Sequence, residues 1–318
     1  DHFMNKIPFC KNSLGEEEKK AICDVIDSGW VVQGKKTQEF EEEFAKYVGA
    51  KNAVFVDSCT SALDLSVKYL LHTKVWKKGQ RVKVPSLTFT ATAEVLVNNG
   101  LKPEFTDVFL ENFCVGYADL PVNLTGNLAG TIDSPIVDSA HRIMRGDLVA
   151  TNNLWCFSFY ATKNMTTIQG GMIATNNDEV TKWLRKARDH GVSKGTTERY
   201  KDGAWAYDVE FVGWREKSDD VHASIGIEQL KKLDGMNNER NRIISRYNEL
   251  LGLNRTGLHL YPILVDKRPE FIKFMADSGI QCSVHFLPLH RMTGYKKWSK
   301  VNLPNTEYLG ERLVSLPL

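Results

Sequence analysis

The sequence predicts an α/β protein, with a large lobe on a mostly parallel sheet and a small C-terminal α/β lobe. Three observations carry this. Short apolar runs alternate with amphipathic stretches over residues 53–189, the succession of strand, loop and helix that covers both faces of a parallel sheet. Runs such as Ala53-Val54-Phe55-Val56 are continuously apolar rather than alternating, as strands buried on both faces are. After residue 235 the rhythm changes to a long helical stretch followed by strand, helix and strand, so the boundary is placed at 1–235 and 236–318.

The elements follow in order. Ser13-Leu14-Gly15-Glu16 reads as a capping box for a helix with Ile22, Val25 and Ile26 on one face, stopped by Gly29. Thr37 reads as the cap of a second helix, with Phe40, Phe44 and Val48 at helical spacing and Gly49 as terminator. A strand over 53–56 is followed at once by a helix over 60–71. Strands are then expected at 82–84, 104–108, 134–137, 155–159 and 172–175, with a helix over 90–98. Residues 178–189 and 220–233 are amphipathic helices, and 238–251 a separate long one. In the C-terminal lobe, 259–264 and 282–286 read as strands and 269–278 as a helix.

Composition narrows the function classes. The chain has 318 residues, enough for one large and one smaller domain, and 42% of them are apolar. A net charge of +2 on 25% charged residues gives no reason to expect a nucleic-acid surface. The longest apolar runs are too short to span a bilayer, and residues 1–6 lack the apolar core of a signal peptide. The six cysteines form no CxxC pair, so reduced thiols in the cytoplasm are expected, and no metal site. Asn123-Leu124-Thr125 and Asn164-Met165-Thr166 match the glycosylation sequon, which reads as chance here.

The most informative segment surrounds Lys163, in Phe157-Ser158-Phe159-Tyr160-Ala161-Thr162-Lys163-Asn164, followed by Gly170-Gly171. A serine five residues ahead of a lysine, at the exit of an apolar strand, can set a hydroxyl on a phosphate and an amine on an aldehyde. That is the layout of a lysine that holds pyridoxal 5′-phosphate (PLP). The cofactor needs an amine, an anion to keep its ring nitrogen protonated, a phosphate cradle and a flat apolar surface. A free lysine has a pKa of about 10.4, and apolar neighbours such as Phe157, Phe159 and Met165 would lower it. Taken alone, Lys163 reads as one solvated loop lysine among many.

Asp138 is the candidate anion. It ends the run Ile136-Val137, at the strand edge where such sheets bind ligands, although a capping role over Ser139-Ala140 fits the local sequence as well. Its place on a separate strand, 25 residues ahead of Lys163, favours the ligand role. His141 is a candidate donor to the phenolic oxygen, or a histidine satisfied at a helix start. Thr60 and Ser61, at the start of a helix and joined by Ser158, are the candidate phosphate cradle, with ordinary N-capping as the alternative. Phe89, just after a strand, either stacks on the ring or fills the core.

Taken together these segments resemble the DegT-type nucleotide-sugar aminotransferases. Ile7-Pro8-Phe9 and Ser28–Gly34 resemble the family's opening signature, and Ser58–Leu63 its phosphate turn. Val84–Thr92, Ile136–His141, Phe157–Met172, Arg188–Gly191, Gly213–Lys217, Ser283–Phe286 and Ser315–Leu318 follow in order. The resemblance implies PLP fold type I, similar to aspartate aminotransferase, and transfer of an amino group from L-glutamate to a nucleotide-linked 3- or 4-keto-deoxysugar in amino-sugar and polysaccharide biosynthesis. Lys163 would hold the cofactor and shuttle the proton; dehydratases of the family carry histidine there. It further implies a homodimer with shared active sites, in which Arg215 meets the neighbour's phosphate where relatives offer asparagine or lysine. Trp30, His190, Trp214 and His285 would lie near the sugar nucleotide. Lys217, Gln169 and Cys59 depart from the usual arginine or asparagine, glutamate and glycine. The segments 107–138 and 251–259 are shorter than usual, and the C-terminal domain is expected to be incomplete. A cyclitol ketone as acceptor, or a PLP-fold sensor or scaffold without turnover, are the alternatives; Lys163, Asp138 and Ser158 together argue against the latter.

Overall fold

The computed structural model describes residues 6–130, 133–149, 151–201 and 205–318. Residues 1–5, part of the stretch 1–15 in which no signal-peptide pattern is read, lie outside the described residues. Along the chain the elements are α1 Glu16–Asp27, α2 Lys35–Val48, β1 Asn52–Val56, α3 Cys59–His72, β2 Arg81–Pro85, α4 Ala91–Asn98, β3 Lys102–Thr106, β4 Ile136–Asp138, β5 Leu154–Ser158, β6 Gly171–Thr175, α5 Asp178–Ala187, α6 Thr196–Arg199, α7 Asp220–Leu251, β7 Tyr261–Leu264, α8 Arg268–Asp277, α9 Pro304–Arg312 and β8 Leu313–Leu316. The chain divides into two compact units, one of Asp1–Lys11, Gly79–Arg142 and Gly235–Leu318, the other of Asn12–Lys78 and Ile143–Asp234. One of the cuts, between Asp234 and Gly235, falls where the sequence changes rhythm.

In the second unit β6 lies between β1 and β5 and runs against both, from Asn52 opposite Thr175 to Val56 opposite Gly171, and from Trp155 opposite Ala174 to Ser158 opposite Gly171. β1 and β5 thus run parallel to each other and end together, at Val56 and Ser158, both opposite Gly171. All five residues of β5 and of β6 are buried, which explains their continuous apolarity. Five phenylalanines close the core. Phe40 meets Phe55 at 5.0 Å between ring centres, and Phe44 meets Phe157 at 5.0 Å and Phe159 at 5.3 Å, mostly edge to face. Burying each ring contributes about 1.5–3 kcal/mol. Gly226 of α7 admits this packing, because a Cβ there would stand 2.5 Å from the Phe40 ring.

In the first unit β2 and β3 pair in parallel, and Leu120 N–H donates to Lys83 C=O on the other side of β2. The chain then passes Asp138 in parallel, with Asn123 N–H donating to Asp138 C=O and Asp138 N–H to Pro121 C=O. Helix α4 connects the parallel pair. Leu87, Val108, Phe113, Val115, Val122, Leu124, Leu309 and Leu313 form one buried cluster of this unit. Ile244, Tyr261 and Leu316 form another, where β7 pairs antiparallel with β8.

Several expectations are corrected. The first helix is capped not from Ser13 but by Gly15, whose N–H donates to the Glu18 carboxylate over 2.7 Å. Thr37 lies inside α2, whose first turn is capped by Asp220 from α7: Gly34, Lys36 and Thr37 N–H donate to it at 2.7, 3.1 and 2.9 Å. The stretches 220–233 and 238–251 are one helix, since Gly235 weakens a helix without breaking it. Residues 282–286 form no strand; Ser283 alone bridges to Ser315. The sequon residues Asn123 and Asn164 are buried, at 0% and 2% exposure, and so are closed to a glycan. The six cysteines form no disulfide. Among the described residues no helix is long and apolar enough to cross a membrane, and no group of three His, Cys, Asp or Glu side chains stands ready for a metal.

Candidate active site

The candidate residues divide between the two units. In the second, β1 ends at Val56 and the chain turns through Asp57 and Ser58 into α3. Ser58 is the N-cap: its Oγ accepts from Ser61 N–H at 3.1 Å, and Ala62 N–H returns to Ser58 C=O at 3.0 Å. Thr60 and Ser61 therefore sit in the first turn of α3, half-buried, where the unpaired N–H groups of a helix attract an anion. Ser61 Oγ also donates to the exposed Asp57 carboxylate. The start of β6 runs beneath this turn. A Cβ on Gly171 would stand 2.4 Å from the Ser58 carbonyl and 2.5 Å from Cys59 N, so only glycine lets the two backbones approach this closely.

β5 delivers Ser158 and the lysine loop. Ser158 is buried, and its Oγ accepts from Tyr160 N–H at 3.4 Å. The chain leaves at Phe159 and returns at Thr167, whose N–H donates to Phe159 C=O over 3.0 Å, while Phe159 N–H takes Gly170 C=O at 2.9 Å. Lys163 lies half-buried within this closed loop, its N–H on Tyr160 C=O at 2.9 Å. Thr166 Oγ1 donates to Phe159 C=O at 3.0 Å and accepts from Ile168 N–H at 2.8 Å. Ile168 is held at φ +72°, a region a β-branched residue rarely enters. Such strain persists only where surrounding bonds enforce it. Gln229 of α7, fully buried, accepts from Thr166 N–H at 3.2 Å and anchors the loop from beneath.

Arg215 is exposed, with Nη1 donating to Lys217 C=O at 2.8 Å. Its backbone bridges Asp189, and the neighbouring Glu216 C=O accepts from Asp57 N–H at 3.0 Å, so this segment lies beside the turn from β1 into α3. Glu216 itself faces α3. Its pKa is pushed up to about 8, first by burial and then by Asp64, against the pull of Lys68 at 3.3 Å. Lys68 also sits 4.0 Å over the Trp214 ring.

In the first unit Asp138 is buried at the end of β4, 4% exposed. Its Oδ1 accepts from Ala140 N–H at 3.0 Å and its Oδ2 from the Thr92 hydroxyl at 2.8 Å. The carboxylate thus caps its own turn and is also held by Thr92 at the end of β4. His141 is buried beside it, its Nδ1 accepting from Thr125 N–H at 3.3 Å. That bond leaves the neutral ring's proton on Nε2. His259 stacks at 4.4 Å and Phe286 at 5.8 Å from the His141 ring. Phe89 is 59% exposed, not a core residue, with Phe286 at 6.0 Å.

Within one unit, the glycine-backed start of α3 and the Lys163 amine have the chemistry that the phosphate and aldehyde of PLP require. Within the other, the buried Asp138 carboxylate and the exposed Phe89 ring have the chemistry that its ring nitrogen and ring face require. Sequence reasoning missed Thr92, Gln229 and Ile168. Thr92 was inside a recognised segment, but only its bond to Asp138 reveals its use.

The sequence matches the DegT/DnrJ/EryC1/StrS aminotransferase family over residues 12–130 and 138–318. The uncharacterized protein MJ1066 of Methanocaldococcus jannaschii is 34% identical over 98% of this chain and 92% of its own. The spore coat polysaccharide biosynthesis protein SpsC of Bacillus subtilis is 32% identical over 100% of this chain and 92% of its own. The structure superposes on the putative sugar aminotransferase Spr1654 from Streptococcus pneumoniae in its PMP form, with a TM-score of 0.85, 25% identity and coverage of 98% and 94% of the two chains. The chain belongs to the DegT/DnrJ/EryC1/StrS aminotransferase family and is a PLP-dependent aminotransferase of fold type I.

Proposed function

We propose that this enzyme carries an amino group from L-glutamate to a keto sugar linked to a nucleotide, in the biosynthesis of an amino sugar. The observation that carries the reading is the strained lysine loop, which leaves β5 beside Ser158 and returns through Gly171 beneath the phosphate turn. The sugar as acceptor is supported by SpsC, a spore coat polysaccharide biosynthesis protein, and by Spr1654, a putative sugar aminotransferase.

When bound, PLP supplies the electron sink that lets an amino group leave one substrate and enter another. Ser58, Thr60, Ser61 and Ser158 would hold its phosphate, together with the N-terminus of α3. Asp138 would hold a proton at the ring nitrogen, its charge maintained by Thr92 and the Ala140 N–H. His141, with its proton on Nε2, would donate to the phenolic oxygen. Phe89 would cover a ring face and exclude water from it. Lys163 would capture the aldehyde and then, as a free amine, move a proton on and off the substrate carbon. Arg215, exposed, would reach the phosphate of the neighbouring subunit in a homodimer.

Borohydride reduction of the PLP-loaded protein, followed by peptide mapping, tests the assignment. The label is expected on the peptide carrying Lys163; cofactor bound with that lysine unmodified would exclude its role. A panel of nucleotide-linked keto sugars and cyclitol ketones, with L-glutamate as donor, identifies the acceptor. Activity on cyclitols alone would replace the sugar reading. For the dimer, mixing Lys163→Ala with Arg215→Ala protein is expected to restore activity through hybrids; no recovery after proven subunit exchange counts against a shared site.

A further inference from the structure

The loop between β2 and α4, residues 86–90, brings two groups to the candidate site: the exposed Phe89 ring and, at the start of α4, the Thr92 hydroxyl on Asp138. Loops of this kind are mobile unless tied. Here both ends are tied by one C-terminal segment. At the near end, Leu289 N–H donates to Ser86 C=O at 2.9 Å and His290 N–H to Ser86 Oγ at 3.1 Å, while His290 Nδ1 lies 2.7 Å from the same Oγ. His290 Nε2 bonds the Glu307 carboxylate. At the far end, the Tyr295 hydroxyl bonds Thr90 Oγ1 at 2.7 Å and Thr90 C=O at 3.2 Å.

The protons are consistent around the ring. A carboxylate can only accept, so His290 Nε2 carries a proton and donates to Glu307. In the neutral ring Nδ1 then accepts, from the Ser86 hydroxyl, whose oxygen in turn takes the His290 N–H. Burial and the Arg291 charge favour that neutral ring, holding its pKa below the usual histidine value. Glu307 is placed in turn by α9, whose first turn is capped by Asp107: Asn305 and Thr306 N–H donate to it at 3.0 and 2.7 Å. Ser86 is 0% exposed, so the Ser–His–Glu chain is no nucleophile in waiting; its hydroxyl cannot meet a substrate.

We propose that Glu307, His290 and Tyr295 are positioning residues, which clamp the loop carrying Phe89 and Thr92 and so preset the stacking surface and the partner of Asp138. This rests on the reading that Phe89 and Asp138 face the cofactor.

The test uses the full chain with Glu307→Gln, Tyr295→Phe and His290→Gln. Hydrogen exchange of residues 86–92 is followed in the cofactor-free protein, and the PLP dissociation constant and the absorption of bound PLP in the loaded protein. Losing one such bond is expected to speed exchange of the loop and raise the PLP dissociation constant about five- to tenfold, with a shifted absorption maximum. Exchange of α3 should not change. Wild-type exchange, affinity and spectrum in folded Tyr295→Phe and Glu307→Gln overturn the proposal, as does lost turnover with all three unchanged. If His290→Gln does not fold, the other two variants decide. Failure of the underlying reading looks different: wild-type protein would then take no borohydride label at Lys163.

Discussion

The Thr92 hydroxyl donates to Asp138 Oδ2 across 2.8 Å, tying the first turn of α4 to the end of β4. Both side chains are buried, at 0% and 4% exposure, so no water can stand in for the donor. Thr92→Val keeps the shape and removes the hydrogen bond. We expect a loss of roughly 1.5–3 kcal/mol in urea titration of the cofactor-free protein, the range for bonds to a charged group. Turnover should fall about tenfold or more as the Asp138 proton site loosens. Unchanged stability and turnover would show that the bond does not hold the carboxylate.

Gly171 is needed for closeness, not for an unusual backbone angle. A Cβ there meets backbone atoms of Ser58 and Cys59, which cannot swing aside as a side chain can. Gly171→Ala is expected to cost about 2–3 kcal/mol and to displace the phosphate turn. PLP titration by absorbance should show at least about tenfold weaker binding. Wild-type affinity in the folded variant would place the phosphate elsewhere.

Glu216 gives a pH dependence whose sign can be worked out. Its folded pKa of about 8 exceeds the unfolded value, because burial and Asp64 disfavour its charge. Between the unfolded value, about 4.3, and the folded one, the folded state binds more protons, so this group's contribution to stability falls as pH rises. It is fully present below the lower value and lost through the upper. Glu216→Gln should flatten the melting temperature between about pH 5 and about pH 8. A variant whose profile parallels wild type removes Glu216 as the source.

Asp220 caps α2 from 183 or more residues away in the sequence, accepting three backbone N–H groups and the Thr37 hydroxyl at 2.7 Å. Asp220→Ala strands these donors at a buried helix start. The expected loss is about 2–4 kcal/mol, larger than for a local cap because several donors are orphaned together. Asp220→Asn should recover part of it. Chemical denaturation of the three proteins checks the order.

Much of the fold was legible because its signals are local. β1, β5 and β6 are continuous apolar runs whose burial needs no partner to be recognised. Ser58 caps α3 from the adjacent position, and the spacing of Ser158, Lys163 and Gly171 depends only on a strand, a turn and a returning strand. The residues of the candidate site could be named for the same reason, since amine, carboxylate and hydroxyl announce their chemistry wherever they stand.

Other features depend on atoms far apart in the chain. Thr37 looked like a cap, yet a carboxylate on α7 occupies that place. Residues 282–286 have strand composition, but only Ser283 finds a partner, so no ladder forms. Phe89 could be read either as a stacking ring or as a core residue, and its exposure belongs to a loop tied through Ser86 and Thr90 to His290 and Tyr295. The Asp138 carboxylate is held by the Thr92 hydroxyl, and Ile168 at positive φ is held by Thr166. Composition and periodicity record what one segment prefers; a hydrogen bond across 46 or 204 residues is set by where the chain returns, which packing settles.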